Sequence, residues 1–143
     1  MDKKSRTILS ENNISITNPR VLVIEELLKY KQPLTVEVLQ KKLKGQVAVS
    51  TLYRVLNDLK KINLLNEFTS PENVSVVELN LHDDSHHHHL FCTSCGEIID
   101  IDLGKNFEDN ISSEINKIQK MFDFEIHDHT LELLGLCSGC KKD

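Results

Sequence analysis

Cys92 and Cys95 form one Cys-x-x-Cys pair, Cys137 and Cys140 form a second, and four consecutive histidines, His86 to His89, stand directly before the first. These are all the cysteines of the chain. Thiolates at this spacing chelate zinc two at a time, about 2.3 Å from the metal, and two pairs complete one tetrahedron. The 41 residues between the pairs exceed a single zinc-ribbon loop, so a shared site would pin the last strand to the hairpin carrying the first pair. Four thiolates leave no open metal position, which makes such a site structural. The competing reading is a redox dithiol. It needs a helix start to acidify one thiol, whereas Gly96 leads into a strand-forming run.

The histidine run is either a solvated loop or a pair of metal sites, since its internal position argues against a tag. On an extended segment, alternation sends His86 and His88 to one side and His87 and His89 to the other. Glu78, Asp100, Asp102, Glu108, His127 and His129 are the donors available to complete each side. Shells mixing imidazole and carboxylate suit Zn2+, Fe2+ or Mn2+ better than Cu+. Taken alone, Glu108 is an ordinary acidic residue at a helix start.

The elements that must position these donors follow from periodicity. Residues 4–12 read as a short polar helix. Thr17 reads as the N-cap of a second helix, with Pro19 tolerated in its first turn and Lys31-Gln32-Pro33 as its stop. Thr35 caps a third, which Gly45 ends. Ser50 opens the most regular helix, where Leu52, Val55, Leu56, Leu59 and Ile62 form a buried stripe and Asn63 supplies a left-handed close. Leu64–Phe68 and Val74–Leu79 form a hairpin around Ser70-Pro71-Glu72-Asn73. Three helices and a hairpin give a winged helix-turn-helix. Beyond 81–85, strands are expected at His88–Thr93 and Glu97–Ile101, a helix at 106–121 through Phe107, Ile111, Ile115 and Ile118, and a long strand at Phe124–Leu136. The fold class is therefore α+β. A winged-helix domain over 1–80 is followed by a hinge over 81–85 and a small α/β domain over 86–143.

Charge divides at the same place. The chain carries a net −5, but residues 1–80 hold 12 Lys/Arg against 9 Asp/Glu, and residues 81–143 hold 5 against 13. A mildly basic first half can approach phosphates, and an acidic, histidine-rich second half suits cations. Neither a signal peptide nor an apolar run of membrane-spanning length is present, so the expected location is cytoplasmic, with no membrane partner. Reduced thiols in that compartment favour metal over disulfide.

Four segments together carry a resemblance: Thr17-Asn18-Pro19-Arg20, Ser50 to Asn57, His86 to Gly96, and His129 to Cys140. Over nearly its whole length the chain resembles the ferric uptake regulator family of metal-dependent transcription factors. The resemblance implies an N-terminal DNA-binding domain, a C-terminal dimerisation domain and a homodimer that binds double-stranded operator DNA when metal is present. It implies a structural Zn2+ on Cys92, Cys95, Cys137 and Cys140. A sensory site for Fe2+ or Zn2+, or for Mn2+, would fall on Glu78, His87, His89 and Asp100. A second would fall on His86, His88, Glu108 and His129. The recognition helix would present Ser50, Thr51, Tyr53, Arg54 and Asn57 to DNA, with Arg20 alongside. Three departures stand out: Pro33 occupies a position where many members have a histidine ligand, with Glu67 in the wing as a substitute donor; His88 stands where many iron sensors have aspartate; and Asn63 replaces a glycine.

The function expected is a metal-responsive DNA-binding regulator, a repressor, with no small-molecule substrate. A peroxide sensor that oxidises a ligand histidine is the alternative within the family, and a metal store or chaperone the alternative outside it. An enzyme is not expected, because the helical His-x-x-x-His with a glutamate base that marks one class of zinc hydrolases is missing.

Overall fold

The computed structural model describes residues 2–30, 32–81 and 87–141. The chain separates into two units, Met1–Ser85 and His86–Asp143. The expected hinge lies, Leu81 apart, outside the described residues, and so does His86.

The first unit opens with α1 (Asp2–Glu11) and α2 (Asn18–Lys29). The Thr17 hydroxyl accepts from the Arg20 N–H and Pro19 sits in the first turn, where no backbone donor is needed. A two-residue strand, β1 (Leu34–Thr35), leads into α3 (Val36–Lys42), capped by the Thr35 hydroxyl on the Val38 N–H. Then come α4 (Val49–Lys61), β2 (Leu65–Thr69) and β3 (Ser75–Leu79). The recognition-type helix starts one residue before the expected Ser50. Its N-cap is Ala48, which offers no side-chain acceptor.

Asparagine performs the closing role after the first and the last helix of this unit. Asn13 (φ 56°) follows α1 and Asn63 (φ 60°) follows α4. Beyond each, a backbone N–H reaches back over the last turn: Ile14 to Leu9 O at 3.1 Å, Leu64 to Leu59 O at 3.0 Å. These are left-handed caps without glycine. The sheet runs β1-β3-β2, all antiparallel, so the expected hairpin gains a third strand through Leu34 opposite Val77 and Thr35 opposite Val76. Ile24, Leu39, Leu52, Val55, Leu56, Leu59 and Val77 centre one apolar core, and Ile62 packs at its margin. This is a winged helix-turn-helix.

The second unit contains β4 (His88–Cys92), β5 (Ile98–Ile101), α5 (Lys105–Phe122) and β6 (Glu132–Gly135). Its sheet runs β5-β4-β6, with β4 antiparallel to β5 and parallel to β6. The long strand expected over Phe124–Leu136 is cut to four residues. In the stretch before it, the Gln119 side chain accepts from the Ile126 N–H and Asp128 accepts from the His129 N–H, so local bonds replace strand pairing. The expected stripe on α5 is present, yet no residue of that helix is buried within the chain. Met121, Phe122 and Phe124 are exposed at 74%, 67% and 66%, and Leu133, Leu134 and Leu136 of β6 and its exit are also open. No helix among the described residues is long and apolar enough to cross a membrane.

Candidate metal centres and nucleic-acid face

All four cysteine sulfurs lie within 4.8 Å of one another. The tight turn at Gly96 (φ 82°) returns the chain after Cys95, and parallel pairing of Cys92 with Gly135 delivers the second pair beside the first. The Sγ atoms of Cys95 and Cys137 are 3.7 Å apart. A zinc tetrahedron with bonds of about 2.3 Å has edges of about 3.8 Å. The cluster therefore fits zinc. Backbone N–H groups of Cys95 and Cys137 point at Cys92 Sγ, at 3.5 and 3.4 Å, and hold its thiol down at about 6. Cys137 is pushed up to about 12, chiefly by the neighbouring Cys140 sulfur. Four crowded sulfurs resist becoming four anions unless a cation joins them.

Among the described residues of the run, His87 and His89 share one carboxylate and His88 reaches another. His89 stands opposite Asp100 on β5, and its Nε2 lies 3.3 Å from Asp100 Oδ1. His87 Nε2 reaches the same oxygen at 3.7 Å, and the two rings meet edge-on at 5.0 Å. On the opposite face His88, 2% exposed, places Nε2 2.6 Å from Glu108 Oε1. Glu108 Oε2 lies 3.3 Å from His129 Nε2. That carboxylate, in the first turn of α5, bridges two imidazoles whose rings are 5.5 Å apart. Both trios are mixed nitrogen–oxygen sets of the kind Zn2+, Fe2+ and Mn2+ accept.

Not every residue singled out from sequence joins a cluster. Asp102 stays exposed outside the three sets, and His127 is exposed beside Glu125 at 3.8 Å. Within the first unit, Glu78 is buried on β3, while Glu67 is held by Lys60 at 2.6 Å and by the Ser75 hydroxyl at 2.9 Å. Pro33 is buried.

On α4 the buried stripe faces inward, leaving Ser50, Tyr53, Arg54 and Asn57 exposed and Thr51 half-buried. Arg20 is tied to the same helix. Its Nη1 donates to the Ser15 carbonyl at 2.8 Å and its Nη2 to Asp58 at 3.2 Å. Sequence reasoning missed Asp58, whose partner is 38 residues away and invisible to periodicity. It also missed Val49, exposed as the first residue of α4, because the helix start was set at Ser50.

Comparison with known proteins agrees with this geometry. Residues 11–134 match the ferric uptake regulator family. The chain is 32% identical to the ferric uptake regulation protein of Vibrio parahaemolyticus, covering 94% of this chain and 90% of that one. It is 27% identical to a peroxide-responsive repressor of Staphylococcus aureus, over 97% and 90%. The solved ferric uptake regulator of Vibrio cholerae superposes with a TM-score of 0.68 at 29% identity, over 92% of this chain and 98% of that one. With the winged helix, the four-thiol cluster and the two-faced histidine strand in this order, the chain belongs to the ferric uptake regulator family.

Proposed function

We propose that this protein is a homodimeric, metal-activated repressor that binds double-stranded operator DNA in the cytoplasm and catalyses no reaction. Residues 1–80 serve as the DNA-binding domain, 86–143 as the dimerisation domain, and 81–85 as the hinge. The observation that carries the reading is the division of donors in the second unit: one four-thiol cluster and two histidine–carboxylate trios on opposite faces of one strand.

Cys92, Cys95, Cys137 and Cys140 hold the structural zinc. His87, His89 and Asp100, joined by Glu78 from the wing, form the sensory set; His88, Glu108 and His129, joined by His86, form the second. A bound divalent cation supplies the positive charge that keeps two imidazoles and two carboxylates together. Glu78 contributes from the winged helix and the other three from the dimerisation unit, so occupancy restricts the freedom of one domain relative to the other. Two copies of α4 can then address successive major grooves, about 34 Å apart. Moving a closed state from about 1% to about 99% needs about 5.5 kcal/mol of differential metal binding. Residues 1–81 contain neither histidine nor cysteine, so the winged helix can contribute only oxygen donors to a shared site. The exposed apolar face of α5 and β6 supports a homodimer, because that much uncovered hydrocarbon marks an interface.

The test is operator binding with the four-cysteine site zinc-loaded, titrated in turn with Fe2+, Zn2+ and Mn2+ and then with chelator. The reading predicts metal-dependent binding that chelation reverses and that His89→Ala abolishes. Binding indifferent to chelation of the sensory metal overturns it. The same series identifies the metal, and mass spectrometry of iron-loaded, peroxide-treated protein reports any oxygen added to His87 or His89.

A further inference from the structure

At about 100° per residue, Ser50, Arg54, Asn57 and Lys61 form one outward row on α4, opposite the buried Leu52, Val55, Leu56 and Leu59. Asp58 falls on one flank of that row and Lys60 on the other. Each flank is tied to a different element. Asp58 accepts from Arg20 at the start of α2, and Arg20 is itself held by the Ser15 carbonyl, so it is braced from both ends. Lys60 donates to Glu67 on β2, whose second oxygen accepts from Ser75 on β3. One carboxylate thus joins the last turn of α4 to both strands of the hairpin.

We propose that Arg20 and Glu67 are positioning residues. Through Asp58 and Lys60 they fix the rotation of α4 about its own axis, and hence which side chains meet the base edges. The inference rests on the DNA-binding reading above and gives Arg20 a positioning role in place of the direct DNA contact that the resemblance implies. A helix seated on an apolar stripe can still roll, since apolar contact is non-directional. Charged hydrogen bonds on both flanks are directional and oppose rolling either way. The wing is carried with the helix, because Glu67 belongs to both.

The sign of a charge deletion separates positioning from direct contact. Asp58 and Glu67 are negative groups beside a surface offered to a polyanion. By electrostatics alone, removing either strengthens DNA binding. Positioning predicts the opposite. The experiment begins with duplexes selected from a random library by the metal-loaded, full-length protein, and that selection itself tests the DNA-binding reading. Asp58→Ala, Glu67→Ala and Arg20→Ala are then compared on a selected duplex and on a scrambled one across a salt series. Each variant is expected to lose about tenfold or more in the ratio of selected to scrambled affinity, the scale of one misread base pair. The slope of log affinity against log salt should stay unchanged, and the Arg20→Ala/Asp58→Ala double variant should be no worse than either single one. A slope reduced by about one in Arg20→Ala identifies a phosphate contact and overturns the assignment for Arg20. Selected-duplex affinity that rises or holds in Asp58→Ala or Glu67→Ala overturns it for that flank. These partly exposed pairs add little to stability, so the variants should fold. Asp58→Asn and Glu67→Gln carry the same expected sign with less change of shape.

Discussion

Leu9, Ile24, Leu39, Leu52 and Leu59 are almost wholly withdrawn from solvent inside the first unit, whereas α5, the longest helix of the chain, buries none of its residues within it. The two units hold themselves together by different means. The winged helix closes an aliphatic core of its own, starts α2 and α3 on threonine caps and closes α1 and α4 with left-handed asparagines. The second unit has a three-stranded sheet with few buried residues, chiefly Phe91, Cys92, Ile98 and His88, and an apolar face turned outward. What hydrocarbon does in the first unit falls, on the proposed reading, to cations and a second copy in the second. A unit built this way can respond to metal supply, because its own packing leaves room for something else to decide its stability.

That contrast can be broken first at the cysteines, where the largest effect is expected. Cys137→Ser, or removal of zinc by a strong chelator, should unfold the second unit while leaving slow amide exchange in α2 and α4 intact. Exchange that accelerates equally in both units would show that they do not differ in this way. Zinc uptake should release protons and weaken as pH falls, since Cys137, pushed up to about 12, must lose its proton to bind. The mirror experiment is Leu56→Ala, expected to cost about 2–5 kcal/mol by opening a cavity, and to lower only the first unit's transition in a zinc-saturated thermal melt. Next comes Leu134→Lys on the exposed face of β6. It should weaken self-association about thirtyfold or more by sedimentation, with the melting of the winged helix unmoved.

The smallest expected effect is at Glu67. The Lys60 ammonium hydrogen-bonded to it holds its carboxyl below the usual range. A depressed folded-state value means the pairing contributes fully above the ordinary glutamate value of about 4.3 and is lost as pH falls below it. Glu67→Gln should therefore flatten the acid limb of the first unit's stability curve. With both side chains about a third exposed, the difference should stay under about 0.5 kcal/mol.

Much of this was legible in the sequence. Thr17 and Thr35 announced their helices, the apolar stripe of α4 and the left-handed Asn63 were readable from spacing, and period-two alternation separated His88 from His87 and His89. The misses share a cause. β1 is two residues long and exists only because Val76 and Val77 stand ready to pair with it. Phe124 to Leu131 have strand-like composition, yet without a ladder partner they settle for local side-chain bonds. Asp58 was not singled out, because nothing local ties it to Arg20. Tertiary partners decided each case.

A stretch of identical side chains carries no mark of its own position. Slide the sequence His86 to His89 by one residue and imidazoles still project to both sides of the strand, although each now stands on the opposite face and one end of the run is left without its donor. The residues that can tell the difference come next: Phe91 and Cys92 are buried on opposite faces, and Cys92 is tied to the far end of the chain through the sulfur cluster. The thiols therefore act as the datum from which the histidines are counted. A single residue inserted between His89 and Cys92 should therefore cost metal-dependent binding as His89→Ala does, although it removes no donor from the sequence.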